Sequence, residues 1–154
     1  MVNIKIMKKL KKTIALLVAV LSMSSCASLY DHFTYTETIE AKLATLSLME
    51  KSDSPFTENE DEVVDVKNQL EKMEIYEKGK SRNDITGKMW ELLRSDEHLV
   101  GSYLKLWEEK GSLNPEFAEQ AIPQIEEAYD LMLLFETKKD KKAQNALTEF
   151  IKNL

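Results

Sequence analysis

Residues 57–79, TENEDEVVDVKNQLEKMEIYEKG, decide the fold class of this chain. Apolar side chains recur there every three or four residues, which is the spacing of one face of an α-helix. They are Val63, Val66, Leu70, Met73 and Tyr76. Thr57 and Glu60 fit a capping box at the start, and Gly79 fits the position that follows a last helical turn. The segment is therefore predicted to be an amphipathic helix.

Apolar residues at the same spacing continue through the rest of residues 34–154. A first helix is predicted for 34–51, and 84–110 is expected to form either one kinked helix or two short helices. Strand signals are almost absent, and the chain has only four glycines and three prolines, which disfavours a β architecture with many turns. The predicted fold class is an all-α antiparallel bundle of four to five helices.

Two features of the C-terminal part bear on where its helices begin and end. Pro123 lacks a backbone donor and clashes with the preceding turn of a helix. We therefore expect a short turn near 115–121, followed by a long helix that starts near Pro123. The lysine run 138–142 either extends that helix or forms a loop before a last amphipathic segment, 143–154.

The first 25 residues have the pattern of a secretory signal peptide. Five lysines between positions 5 and 12 precede an uncharged apolar run, 14–21. This run is too short to span a membrane, which takes about 20 residues. The segment 1–25 is therefore predicted to be cleaved. Translation starts at Met1 or at Met7, since a complete basic region follows either one.

The only cysteine of the chain directly follows this leader. The hexapeptide LSMSSC, residues 21–26, resembles the lipobox of bacterial lipoproteins, with Met23 in place of the usual leucine and small Ser24 and Ser25 before the cysteine. The resemblance implies that Cys26 is lipidated, becomes the mature N-terminus and anchors the protein in a membrane. Residues 26–33 are then the lipidated N-terminus and a short tether, and 34–154 are the bundle.

Ala27 after the cysteine, in place of aspartate, implies the outer membrane by resemblance to lipoprotein sorting in diderm bacteria, with the protein facing the periplasm. The mature part resembles the small envelope lipoproteins common in bacteria, a resemblance that implies no activity. The predicted location is the bacterial cell envelope.

The charge of the mature part excludes some classes of partner. The leader holds five of the 21 basic residues and none of the 27 acids, so the mature part has a net charge of about −11. Binding to nucleic acid depends on lysine and arginine neutralising phosphates, so no nucleic-acid partner is expected. The same charge argues against a domain that lies on anionic lipid through a basic face. Once Cys26 is lipidated, no disulfide within the chain is possible.

Catalytic and metal-binding patterns are missing from the sequence. His32 and His98 lack the Glu-x-x-His spacing of a di-iron bundle, and cysteine–histidine spacings for zinc do not occur. His98 beside Glu97 is the only local base and acid pair, but adjacent helical residues do not face each other. No enzymatic activity, cofactor or metal is predicted.

Two groups of aromatic residues are candidates for contacts outside the bundle. Tyr30, Phe33 and Tyr35 follow the predicted lipid site closely, and such rings favour the interface of a membrane. The alternative is that they pack on the end of the bundle. Trp90 and Trp107 are candidates for a partner surface if they are exposed, because tryptophan is enriched in binding hot spots. The alternative for these two is the core.

The chain is predicted to be a membrane-anchored envelope lipoprotein that acts by contact with an envelope protein, as a structural protein or adaptor. An immunity lipoprotein that blocks a toxin is one special case of this function. The alternative is a carrier of a small apolar ligand or lipid, which would need a cavity between the methionine-rich helices.

Overall fold

A computed structural model describes residues 30–81 and 83–154 of the protein, which form six α-helices and no strand. The helices are α1 (His32–Met49), α2 (Glu60–Lys78), α3 (Asp84–Arg94), α4 (Leu99–Lys110), α5 (Pro115–Lys138) and α6 (Lys141–Lys152), and a 3₁₀ turn spans Phe56–Glu58. The prediction of an all-α bundle is confirmed. The predicted leader and Cys26 lie outside the described residues.

Helix α1 runs antiparallel to α2 and α5, as the contacts at its two ends show. Thr34, near the start of α1, contacts Glu77 near the end of α2. Just after α1, the amine of Lys51 pairs with Glu62 in the first turn of α2, at 2.6 Å. The start of α1 also contacts the end of α5, so α1 lies between two antiparallel neighbours.

The bundle therefore has two ends, which we name by the chain segments that form them. The N-terminal end comprises residues 30–37, 72–81, 83–84 and 134–142, where α1 begins and where α2 and α5 end. The distal end comprises residues 50–65 and 105–119, where α1 and α4 end and where α2 and α5 begin.

The core is apolar and runs through all six helices. Each helix contributes side chains that are almost completely buried, and the largest apolar ones are Leu48, Met49, Leu70, Met73, Met89, Trp90, Leu93, Leu104, Trp107, Tyr129 and Leu147. Burying a side chain of this size contributes roughly 1.5–3 kcal/mol. Packing of these residues stabilises helices whose surface positions are mostly charged.

Helix α1 begins two residues before the predicted start at 34. Asp31 is its N-cap, and the carboxylate accepts hydrogen bonds from the backbone N–H groups of Phe33 (2.9 Å) and Thr34 (3.3 Å). Aspartate is among the best N-cap residues because it satisfies donors that the first turn leaves free. The predicted tether therefore ends at residue 31.

The predicted capping box at the start of α2 is wrong. Thr57 lies in a 3₁₀ turn, and the helix begins at Glu60 with Asn59 in the cap position. The Asn59 side chain donates to the Ser54 hydroxyl (2.8 Å) and to the Pro55 carbonyl (3.0 Å), so it holds the preceding loop and does not cap the helix. Acidic residues still fill the first turn, where the helix dipole favours them.

The predicted break before Pro123 is also wrong, because α5 is continuous from Pro115 to Lys138. Asn114 caps it, and Pro115 occupies the first turn, as its fixed φ angle favours. Pro123 is exposed. Core residues on both sides of it, Ala118 and Ile125, are buried. Burial on both sides of the proline offsets the loss of one hydrogen bond at a solvent-facing position.

The sequence left open whether one helix spans 84–110 and whether the helix before the lysine run 138–142 continues through it. In the structure the helix is interrupted in both places. Ser95 is extended and ends α3, and α4 then crosses so closely that a Cβ atom on Gly101 would lie 2.3 Å from the Arg94 carbonyl oxygen. Between α5 and α6, Lys139 adopts a left-handed conformation with φ of 47°. Asp140 then caps α6 by accepting from the N–H of Ala143 at 2.8 Å.

Candidate functional site

The N-terminal end contains a cluster of charged and polar side chains around a buried carboxylate, which we call the ionic clamp. Its members are Asp31, Thr34, Tyr76, Glu77, Lys80 and Asn83. Glu77 lies at the centre, with 1% of its surface exposed. Its carboxylate accepts hydrogen bonds from Thr34 and Asn83 and pairs with the Lys80 amine at 2.8 Å. A buried carboxylate needs such partners, because an unpaired buried charge is costly.

Asp31 connects the clamp to the first described residues of the chain. Its carboxylate pairs with the Lys80 amine at 2.7 Å and accepts a hydrogen bond from the Tyr76 hydroxyl at 2.9 Å. Burial raises the pKa of Asp31, but the hydrogen bonds from Lys80 and Tyr76 outweigh it and hold this pKa well below its usual range. The Asp31 N–H donates to buried Glu136 on α5 at 2.6 Å, so the chain entering the bundle is fixed to both α2 and α5.

An exposed aromatic patch lies beside the clamp and consists of Tyr30, Phe33, Tyr35 and Tyr76. The Phe33 and Tyr76 rings lie 4.7 Å apart, and those of Tyr30 and Tyr35 lie 6.0 Å apart. Tyr30 is 50% exposed and Phe33 41%, whereas Tyr35 is half-buried. The three residues singled out from the sequence thus lie together at one end, and their contact with a membrane stays a prediction.

Tyr76 was predicted to be in the buried stripe of α2, yet it is 38% exposed. It lies in the last turn of that helix, where its hydroxyl reaches Asp31 and its ring contacts Phe33. Its partners are the N-cap and the first turn of α1, which are remote in sequence, so no local pattern indicates that Tyr76 belongs to the aromatic patch.

Charge is distributed unevenly between the two ends. The N-terminal end has seven lysines and seven acids, whereas the distal end has three lysines and eleven acids. The negative charge of the mature part is therefore concentrated at the distal end. A surface of one sign favours and steers partners of the opposite sign.

A groove between α4 and α5, which we call the distal groove, has a volume of about 480 Å³ and is open to solvent. Its apolar lining residues are Leu99, Tyr103, Leu106, Phe117, Ala121 and Ile125. Phe117 is 40% exposed and stacks on Tyr103, with ring centroids 5.6 Å apart. Glu116 and Glu119 are exposed on the same two turns of α5.

The predicted partner surface at Trp90 and Trp107 is wrong, because both side chains are completely buried. Trp90 packs edge-on against Tyr129, with ring centroids 6.2 Å apart, and its indole N–H finds no acceptor among the described residues. Trp107 donates from its indole nitrogen to the Ser54 carbonyl at 3.1 Å. Both tryptophans therefore belong to the core, the alternative considered from the sequence.

Residues 30–81 and 83–154 contain no group of three or more His, Cys, Asp or Glu side chains arranged to hold a metal ion. His32 lies on the surface, where its Nδ1 atom is 3.3 Å from the Tyr30 hydroxyl. Four methionines, Met49, Met73, Met89 and Met132, are buried in the core. Within the described ranges, no helix combines the length and the apolar character needed to cross a bilayer.

No protein-family model matches the chain, and comparison with curated proteins and with solved structures gives no match either.

Proposed function

We propose that this chain is a lipid-anchored lipoprotein of a bacterial cell envelope that acts by contact with another envelope protein. In this proposal Cys26 carries the lipid, and the bundle faces the periplasm from the outer membrane. The leader pattern and the lipobox-like residues 21–26 support the anchor. The two chemically different ends of the bundle support a protein that is held at one end and makes contacts at the other.

The observation that carries the proposal is the short distance along the chain from the predicted lipid site to the first fixed residue. Asp31 follows Cys26 by five residues, which span at most roughly 18 Å at about 3.5 Å per residue. A lipid on Cys26 would therefore hold the N-terminal end next to the bilayer. The 24 residues of α5 extend about 36 Å at 1.5 Å per residue, so the distal end would face away from the membrane.

The distal groove is the contact site that this arrangement favours. It offers an apolar surface with the exposed Phe117 ring, and it reaches the distal end, which has eleven carboxylates and only three lysines. A partner segment with apolar side chains flanked by lysine or arginine matches both properties. Such a partner would gain affinity from burial of apolar groups and association rate from charge complementarity.

Lipidation is tested by mass spectrometry of the native protein purified from membranes and by metabolic labelling with palmitate. We expect a mature N-terminus at Cys26 that carries the mass of a thioether-linked lipid on the sulfur and of an acyl chain amide-linked to the new amine. Cys26→Ala should abolish labelling. Ser25→Ala is the matched control and should retain it, because a small residue is kept before the cysteine. An unmodified protein that retains residues before Cys26 would refute the anchor.

The contact site is tested with a photo-cross-linking amino acid introduced at position 117, in intact envelopes. We expect cross-links to one protein through a segment rich in basic and apolar residues, and weaker cross-linking at high salt. Position 43 is the control, because Leu43 is 63% exposed but lies on α1, outside the groove. Cross-links from position 117 to lipid or a small molecule alone would overturn the protein-contact function and favour a carrier.

A further inference from the structure

Exposed apolar side chains are concentrated at the N-terminal end of the bundle. The large hydrophobic residues that are exposed in the described structure are Tyr30, Phe33, Leu43, Val64, Ile75, Tyr76, Phe117 and Leu134. Five of these eight lie at the N-terminal end. A cluster of this kind on one end of a small domain indicates an interaction surface, and the distal groove does not account for it.

Lysines surround these aromatic rings. The Lys80 amine lies 4.4 Å from the centre of the Tyr76 ring, and the Lys72 amine lies 5.8 Å from that of Phe33. Lys138, Lys141 and Lys142 are exposed at the same end. Aromatic rings beside lysines are typical of protein surfaces in the headgroup layer, where the rings occupy the interface and the amines reach the phosphates.

The ionic clamp fixes the position of this surface relative to the rest of the bundle. Asp31 caps α1 two residues before Phe33 and also binds the Tyr76 hydroxyl, so the two rings are held by the same carboxylate. Lys80 binds both Asp31 and the buried Glu77. The Phe33 and Tyr76 rings are therefore part of a rigid end of the bundle, and Tyr30 directly precedes it.

We infer that the N-terminal end docks on a phospholipid bilayer that contains anionic lipid, with Tyr30, Phe33 and Tyr76 in the interface and the exposed lysines against the phosphates. The mature part as a whole is acidic, but its excess of acids lies at the distal end, whereas the N-terminal end has as many lysines as acids. This inference rests on the proposed lipid anchor, whose short tether brings the surface to the bilayer. Docking of a rigid end would hold the bundle upright and keep the distal groove directed away from the membrane. A protein partner at this end is the competing outcome.

The test uses the mature protein purified from membranes and reconstituted in vesicles of equal parts phosphatidylethanolamine and phosphatidylglycerol, with acyl chains brominated to quench tryptophan. The native Trp90 and Trp107 are completely buried in the core and give a constant background. In a Phe33→Trp variant, we expect the brominated lipid to remove most of the emission that the new residue adds. Val64→Trp is the matched control, because Val64 is 53% exposed at the distal end, and its emission should not change.

The possible outcomes test the docking, the fixed orientation and the lipid anchor separately. If Phe33→Trp is not quenched although the protein sediments with the vesicles, the docking is refuted and the anchor stands. Quenching of both variants would refute a fixed orientation. If the protein lacks the lipid and does not sediment, the proposed function itself fails. Should Phe33→Trp unfold, as circular dichroism would show, Tyr30→Trp replaces it, because Tyr30 precedes α1 and is half exposed.

The contribution of the lysines is tested separately. Replacing Lys138, Lys141 and Lys142 by glutamine should reduce quenching of the Phe33→Trp reporter in these vesicles severalfold. The same triple substitution should have no effect in vesicles of phosphatidylcholine alone, which lack net charge. Unchanged quenching in the anionic vesicles would refute recognition of anionic lipid.

Discussion

The two ends of this bundle are closed by different chemistry. At the N-terminal end, α1 is joined to its neighbours through charged side chains, with Glu77 and Glu136 almost fully buried. At the distal end, the connection is made by rings and backbone. Phe56 and Trp107 pack edge to face with ring centroids 5.4 Å apart, and the Phe56 N–H donates to the Gly111 carbonyl at 2.7 Å.

The two kinds of contact have different properties. Ionic contacts have strict geometry and lose most of their value if one partner is missing, so they fix the direction in which the chain enters the bundle. Ring packing depends on burial and is insensitive to pH and salt. We therefore expect pH and salt to affect the contacts that hold α1 at the N-terminal end and to leave the ring packing at the distal end unchanged.

The largest expected effect is at the distal end. Trp107→Ala should lower the free energy of unfolding by about 4 kcal/mol, because it leaves a large cavity in the core. Urea denaturation at low and at high salt should give the same loss, since the contacts of Trp107 are apolar apart from one hydrogen bond. Trp107→Phe, which keeps a ring against Phe56, should lose about half as much. A strong dependence of either loss on salt would contradict the conclusion that ring packing, and not charge, holds the distal end together.

Removal of the central carboxylate at the N-terminal end should have the next largest effect. Glu77→Ala leaves the buried side chains of Thr34 and Asn83 without their acceptor, so we expect the free energy of unfolding to fall by about 3 kcal/mol. The measurement is urea denaturation followed by circular dichroism. Glu77→Gln is the matched control, because it keeps the size and one acceptor oxygen, and it should lose less. A loss below about 1 kcal/mol for Glu77→Ala would mean that water replaces these contacts.

A pH dependence should follow from Asp31. Its pKa in the folded protein lies below the ordinary value of 3.8, so above that pH the carboxylate is ionised in both states and its stabilisation is complete. Below pH 3.8 the unfolded chain takes up the proton first, and the stabilisation is lost as pH falls towards the folded pKa.

Asp31→Asn isolates this charge, because asparagine also caps helices well. At neutral pH we expect the variant to be less stable than the wild type by about 1 kcal/mol, a value that allows for partial screening by solvent. The difference should shrink in acid. Asp53→Asn, at an exposed distal position, is the control and should change the stability by less than about 0.5 kcal/mol. An Asp31→Asn loss that stays constant down to low pH would show that the charge is not the cause.

The helices of the bundle could be predicted from the sequence because each apolar face is a local pattern. Val63, Val66, Leu70 and Met73 follow this pattern and are all buried. Boundaries failed where a distant contact decided the outcome. The start of α1 is an exception, because Asp31 is a good N-cap residue and its type alone favours a start before residue 34. The break predicted at Pro123 is wrong because the packing on both sides of this proline is not visible in the local sequence.

The candidate sites were only partly predictable. Tyr30, Phe33 and Tyr35 were found because their distance from Cys26 is itself a sequence property. The ionic clamp could not be predicted because the pairs that join α1 to α2 are remote in sequence, with Thr34 and Glu77 43 positions apart and Asp31 and Tyr76 45 positions apart. The partner surface predicted at Trp90 and Trp107 is wrong, because residue type alone does not distinguish a binding hot spot from a core residue.

The smallest expected effect comes from an ion pair of the same type at the other end. Lys51 and Glu62 lie 2.6 Å apart at the distal end, but both side chains are about half exposed. Water and salt screen such a pair, and fixing two long side chains costs entropy. Lys51→Met should therefore change the free energy of unfolding by less than about 0.5 kcal/mol, with Lys80→Met at the N-terminal end as the matched comparison. Equal losses for the two variants would show that burial does not distinguish the two ends, because distance alone would then account for the strength of both pairs.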